Sequence, residues 1–168
     1  MRQNKVNSVT GSEIVTTADV KLFARIDTDA DDSIIARMIT QARVWCENYI
    51  SRDIVAKNRT YYLPTTMGLF DLPFAPVASI SSVTVNGETA EYDVLGLDNE
   101  TIELYGGYSE KVLVTYVTTG LNDGLLQQAI LQLATTYYDN RADFVEGKME
   151  TIPTSVKNTL SSYKSMFV

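Results

Sequence analysis

The residues of this chain best suited to chemistry are its carboxylates. Asp27, Asp29 and Asp31 alternate with Thr28 and Ala30 ahead of Asp32, a spacing that could set oxygen ligands around a hard cation. A calcium loop of the EF-hand kind, counted from Asp27, asks for glycine at its sixth position and a bidentate glutamate at its twelfth. The chain has Asp32 and Met38 there. The sharp turn and the last ligand are both missing. The run therefore reads as carboxylates favoured by the positive end of the helix that follows, with adventitious cation binding as the alternative. Glu103 and Glu110 could serve as acid and base at a glycosidic bond if held about 5–10 Å apart. Nothing in the sequence brings them together, and exposed strand-edge carboxylates are the simpler reading. Gly106-Gly107 and Gly120 lack the spacing of a phosphate-cradling loop and read as turn residues.

The other reactive types are scarce. There is no histidine and a single cysteine, Cys46. Ser-His-Asp and Cys-His constellations and thiolate zinc clusters are therefore impossible. Cys46 cannot form an internal disulfide, which fits a reducing site of synthesis. It lies beside Trp45 in a helical stripe and reads as a buried structural thiol rather than a reactive one. The sequence thus predicts no catalytic residue, no metal site and no cofactor. The net charge is −7 with no block of basic residues, which argues against a grip on nucleic acid. An acidic protein can still surround DNA without sticking to it.

The elements that would position any site come next. The chain has 168 residues, 45% of them hydrophobic, which suits one domain with a real core. No apolar run approaches the roughly 18 residues of a membrane span. Met1 to Ser8 is polar, lacks the apolar stretch of a signal peptide and reads as a loose arm. Thr16-Thr17 before Ala18-Asp19-Val20 predicts a capped short helix through about Arg25, anchored by Val20, Leu22, Phe23 and Ile26. Ser33 to Ser51 predicts a long amphipathic helix. Its stripe is Ile35, Met38, Ile39, Ala42, Trp45, Cys46, Tyr49 and Ile50, and its polar face carries Arg37, Gln41, Arg43, Glu47 and Asn48. Gly124 to Arg141 predicts a second one, capped by Asn122 or Asp123 and striped by Leu126, Ala129, Ile130, Leu133, Ala134, Tyr137 and Tyr138. Asp143 to Thr151 reads as a charged linker. Pro153 opens a last helix with Val156, Leu160, Tyr163 and Phe167 on one side.

Between the long helices the period changes. Ile54 to Leu63 reads as a strand that stops at Pro64, and Gly68 to Leu72 as a short one. Pro73 and Pro76 force an extended crossing. Ile80 to Val85, Glu88 to Val94, Thr101 to Tyr105 and Lys111 to Thr118 follow, separated by turns at Asn86-Gly87, Asp98-Asn99 and Gly106-Gly107. The whole predicts an antiparallel meander. In Lys111 to Thr118, Val112, Val114 and Tyr116 line one face while Leu113 and Val117 line the other, so both sides call for cover, from this chain or from a neighbouring subunit. Helices from opposite ends of the chain must meet to bury their stripes. Ten tyrosines are spread over strands and helices; some must be core with the hydroxyl reaching the surface, and tyrosine is also enriched at protein interfaces.

These ordered features resemble the phage head–tail connector (adaptor) family over about Val15 to Tyr163. The resemblance rests on Ala42-Arg43-Val44-Trp45-Cys46-Glu47-Asn48-Tyr49 after Asp31-Asp32, and on the run from Leu72-Pro73-Phe74-Ala75-Pro76-Val77 to Val85. It rests also on Val112-Leu113-Val114-Thr115-Tyr116 leading to Gly120, and on Ala129-Ile130 leading to Tyr137-Tyr138-Asp139-Asn140-Arg141, with Pro153 and Tyr163 beyond. It implies an α+β fold: a small helical bundle, with two long central helices and shorter N- and C-terminal ones, carrying an antiparallel β-meander insertion at about 54–119. Residues 1–15 would be a flexible arm and 16–168 a single connector domain. It implies a virion protein of the neck without enzymatic activity, made in the host cytoplasm. The protein would form a homo-oligomeric ring of about twelve copies that docks on the portal and presents its far face to a stopper or tail protein. DNA would pass through the lumen without sequence-specific binding, and no membrane is involved. Subunit-interface candidates are Tyr116, Tyr137, Tyr138 and Arg141, and portal-binding candidates are Tyr163, Lys164, Met166 and Phe167. The chain has Lys164 where the family usually has arginine. A tail terminator or another neck protein is the alternative reading, and a carboxylate-dependent hydrolase a more distant one.

Overall fold

The computed structural model describes residues 1–140 and 152–164. Arg141, the linker from Asp143 to Thr151, Met166 and Phe167 lie outside them. The chain builds two compact units that alternate along the sequence. One takes residues 13–50 and 122–164, the other 1–12 and 51–121.

The first unit is helical: α1 (Thr17–Ala24), α2 (Asp32–Ile50), α3 (Gly124–Asp139) and α4 (Thr154–Ser161). Thr16 starts α1 with a capping box. The Asp19 N–H donates to Thr16 Oγ1 at 3.1 Å, and the Thr16 N–H donates to Asp19 Oδ2 at 2.8 Å. Arg25 ends it in the left-handed region at φ 55°. Of the four apolar anchors read in this segment only Val20 is buried; Leu22 is 83% exposed and Phe23 is exposed too. Eight residues make two turns, and one of their faces suffices for contact with α2 and α3.

α2 buries Ile35, Ile39, Ala42, Cys46 and Ile50, and α3 buries Leu126, Ala129, Ile130, Leu133 and Ala134. The two helices pack on each other, so stripes from opposite ends of the chain do meet. α4 adds Val156 and Leu160, both buried, and packs on α3 and α2. One reading of α2 is corrected. Arg43 and Glu47 are not on a solvated face; both are buried. Arg43 Nη1 donates to Glu47 Oε2 at 2.7 Å, and Arg43 Nε donates to Glu13 Oε2 at 2.8 Å. The segment before α1 runs over this part of α2 and supplies the partner that makes burial tolerable.

The second unit holds eight strands: β1 (Gln3–Val9), β2 (Lys57–Thr66), β3 (Leu69–Asp71), β4 (Val77–Val85), β5 (Glu88–Thr89), β6 (Tyr92–Leu95), β7 (Thr101–Leu104) and β8 (Ser109–Thr118). They form two antiparallel sheets of order β1-β2-β8-β4-β5 and β3-β7-β6. The class is α+β, as the sequence predicts, but the insert is not one meander. β8 returns to lie between β2 and β4, and the chain from Leu69 to Leu104 twice leaves the larger sheet for the smaller one. The physical reason is the core. Tyr61, Leu63, Val83, Val112, Val114 and Tyr116 of one sheet bury themselves against Phe70, Ile102 and Leu104 of the other. Residues 3–9, read as part of an arm, form edge strand β1 against β2. Pro64 sits inside β2 rather than ending it. Its missing donor costs nothing there, because β1 pairs with β2 only as far as Tyr62. The turn at Asn86-Gly87 has φ of 53° and 90°, as a type I′ hairpin requires. On the outer face of β8, Val117 is half-buried and Leu113 exposed, so cover on that side is partial.

Candidate functional site

The acidic run before α2 is engaged within the helical unit. Lys21 forms ion pairs with Asp29 and, at 3.0 Å, with Asp32. Tyr138 donates its hydroxyl to Asp31 Oδ2 at 2.6 Å. The Ile34 and Ile35 N–H groups donate to the Asp31 carbonyl, both at 2.9 Å, so the carboxylates cluster at a helix start where the dipole favours them. Glu103 and Glu110 are exposed residues of β7 and β8. Glu103 faces Asp93 across the small sheet, and Glu110 accepts the Tyr108 hydroxyl at 2.8 Å. Among the described residues no group of three or more acidic or sulfur ligands gathers to hold a metal.

Cys46 is fully buried, and burial first, then the nearby Glu47 charge, push its thiol up to about 12. A thiol held protonated is neither nucleophile nor ligand. Among the described residues no helix is long and apolar enough to cross a membrane.

The tyrosines proposed for contacts fall into three environments. Tyr116 lies in the core of the β unit with no exposed surface. Its hydroxyl donates to the Pro73 carbonyl at 2.6 Å and accepts from Asn4 Nδ2 at 3.2 Å, and burial pushes its phenol well above the ordinary range. Tyr137 and Tyr138 are half-buried at the end of α3, and burial also raises the Tyr137 phenol. Tyr163 donates to Asp123 Oδ1 at 2.6 Å, the same carboxylate that caps α3 through the Leu125 N–H at 2.8 Å. The hydrogen bond from Tyr163 is the main reason the Asp123 carboxyl stands below its usual range. Lys164 places its ammonium 5.3 Å from the Tyr49 ring, which itself stacks on Trp45 at 5.1 Å. Lys164 thus meets the α2 aromatics, while Tyr163 is held at the start of α3. Arg141, Met166 and Phe167 lie outside the described residues.

A buried ionic cluster escaped the sequence reading. Asp53, without exposed surface, accepts from Arg59 Nη2 at 2.6 Å, Arg59 Nε at 2.7 Å, Thr118 Oγ1 at 2.8 Å and Lys57 Nζ at 2.9 Å. Burial works against its charge, but the hydrogen bonds and charges of Arg59 and Lys57 outweigh it and hold the carboxyl below its usual range. Arg59 also donates to Asn4 at 2.9 Å and lies 3.7 Å over the Phe74 ring. The cluster joins β1, β2, β8 and the Pro73–Phe74 crossing. Its signal was alternation: Lys57, Arg59, Tyr61 and Leu63 share one face of β2, so two cations had to enter an apolar side and needed an anion there. The satisfied geometry is structural and leaves no open position for a substrate.

Residues 15–89 match the family described as phage gp6-like head-tail connector protein. The match spans α1, α2 and strands β2 to β5 and bears out the resemblance seen in the sequence. No curated protein matches. Among solved structures, the fold is similar to a chain in the virion of a native gene transfer agent particle, with a TM-score of 0.73, 18% identity, and coverage of 99% of this chain and 97% of that one. It is similar to a chain in the neck of an empty particle of that kind computed with C6 symmetry, with a TM-score of 0.69, 22% identity, and coverage of 100% and 97%. It is also similar to one in the neck of a native particle computed with C12 symmetry, with a TM-score of 0.69, 19% identity, and coverage of 98% and 97%. At these identities the likeness establishes the fold over the full chain.

Proposed function

We infer that this chain is a head–tail connector, a structural protein of the neck of a phage-like particle that performs no reaction of its own. The observation that carries the reading is the family match over residues 15–89. It covers α1, α2 and strands β2 to β5, where the first two of the four ordered motifs lie. Likeness of fold along the whole chain to subunits of gene transfer agent particles supports it. So does the pairing of buried charges with each other, Arg43 with Glu47 and Asp53 with Lys57 and Arg59.

Finer statements follow from this reading. The four helices act as a small bundle, and residues 16–168 as one connector domain with a β insertion at about 54–119. Copies close a homo-oligomeric ring, of about twelve subunits, through head-to-tail contacts in which one patch meets a different patch. Tyr137, Tyr138 and Arg141 are the candidates for lateral contacts, and Tyr163, Lys164, Met166 and Phe167 those for the portal. Tyr116 contributes by holding the sheet on which such contacts depend. A stopper or tail protein takes the opposite side, and DNA slides past an acidic lumen without being gripped.

The test is electron microscopy of the protein mixed with capsids that carry their portal. A ring seated at the portal vertex is the expected outcome. A chain that leaves that vertex bare and sediments as a monomer at high concentration overturns the reading.

A further inference from the structure

Between Thr60 and Glu110 the chain holds eight carboxylates and no lysine or arginine, while its net charge is −7. The remainder is therefore all but neutral. Of the eight, Asp98 and Glu100 belong to the far turn of the small sheet, where Asp98 pairs with Arg52; Glu91, Asp93, Glu103 and Glu110 gather at the other end with Asp71 nearby, and outnumber the cations beside them, Arg2 and Lys111. Three turns meet there. The Leu104 N–H donates to the Gly68 carbonyl at 2.8 Å, and the Tyr105 N–H donates to the Glu91 carbonyl at 3.3 Å. A Cβ on Gly68, whose φ is +104°, would come within 3.0 Å of Gly107, so the turns at 66–69 and 105–108 touch through glycine backbone. That contact fixes four large side chains in solvent: Met67 at 83% exposure, Tyr105 at 62%, Tyr108 at 59% and Leu69 at 58%. Met67, Leu69 and Tyr108 also line a groove with Phe70 and Pro73, to which Arg2 and Asp71 contribute. The phenols are held in place by carboxylates, Tyr105 on Asp93 and Tyr108 on Glu110, each at 2.8 Å.

We propose that this end of the β unit is a docking surface for a protein other than this chain. Met67, Leu69, Tyr105 and Tyr108 form its apolar centre, and the surrounding carboxylates receive lysines and arginines of the partner. The composition is that of an interface centre, two tyrosines with a methionine and a leucine inside a polar rim. Rigid turns lower the ordering cost of binding. Charge names the occupant. A second copy would bring the same acidic end, or a remainder with no block of basic residues to match it. Nucleic acid would bring phosphates against carboxylates. A basic protein surface meets both the rim and the centre.

The inference rests on the connector reading, and the test keeps the two apart. The probes are portal-bearing heads and purified tails of the same particle, added separately to the full-length protein. Two variants carry the test: Tyr105→Ser with Tyr108→Ser, which removes the centre, and Glu103→Lys with Glu110→Lys, which reverses the rim. Both sets of residues are exposed, so circular dichroism and thermal unfolding should match the wild type. Each variant should bind one of the two probes at least about tenfold more weakly and keep the other. Wild-type binding to that probe should fall with added salt, and less so for the rim variant. Variants that bind both probes like the wild type overturn the docking surface and leave the connector reading standing. Variants that lose only self-association assign the surface to a second copy and overturn it as well. A wild-type chain that binds neither probe overturns both.

Discussion

Asp53 is the residue on which most depends. It holds four donors from two strands at a site without solvent, and removing one partner of a buried ion pair strands the others. Asp53→Ala should lower unfolding free energy by about 3–5 kcal/mol, read from urea denaturation. The same carboxylate sets an acid limit. Its native pKa lies below the ordinary 3.8, so its contribution is complete above that pH. Below it the unfolded chain takes up the proton first, and stability falls until the native carboxyl protonates too. The urea midpoint should therefore stay level for this group from neutral pH down to about 4 and decline below it. Asp53→Asn should flatten that decline. Cys46, with its thiol at about 12, should resist a thiol reagent at pH 8 and react at once in denaturant. The buried thiol was legible in the sequence, from its place in an apolar stripe. The Asp53 cluster was not read: two cations alternate into the apolar face of β2, but that Asp53 turns back to meet them, and that Thr118 of β8 joins, is set by folding and not by sequence spacing. Arg43 and Glu47 misled for a related reason: periodicity sorts residues by polarity, and their burial depends on Glu13, thirty residues away from Arg43.

At the scale of elements, the long helices were readable because each carries a full stripe. Leu133, fully buried in α3, belongs to the seam with α2, and Leu133→Ala should cost about 2–5 kcal/mol. α1 tests the opposite case. Leu22 looks like an anchor by residue type but stands in solvent, so Leu22→Ser should change stability by less than about 0.5 kcal/mol. Val20→Ala, at a buried site two residues earlier, should cost clearly more. Thr16→Ala should remove a reciprocal cap worth about 1 kcal/mol. Thermal unfolding of the three variants side by side checks the ordering. Apart from β1, read as part of an arm, and the stretch Glu88 to Val94, which breaks into β5 and β6 of different sheets, the strands lie nearly where the sequence puts them, with the turn at Asn86-Gly87 the firmest signal. Their order was not legible. A period of two says which side chains share a face and nothing about which strand lies beside which. The return of β8 between β2 and β4 follows from apolar surfaces closing on each other across two sheets.

On the connector reading proposed above, which rests on a family match over 15–89 and a full-length likeness of fold, the molecule as a whole is one part of a larger body. Its surface should then show association that grows with concentration and with platform. In sedimentation velocity the protein alone should shift to heavier species as concentration rises. With portal present the shift should occur at lower concentration, as ligand linkage requires. The acidic end of the β unit was open to reading as a stretch without a single basic residue. Its meaning came only when three turns placed apolar side chains among the carboxylates.

The alternation of the two units along the chain governs its birth on the ribosome. A nascent polypeptide that has emerged as far as Leu121 holds every strand of the β unit, since β8 closes at Thr118. It also holds α2, whose partner α3 is still inside the exit tunnel. For that interval the stripe of α2 is naked, greasy and waiting, and this is the window in which chaperones would have most to do.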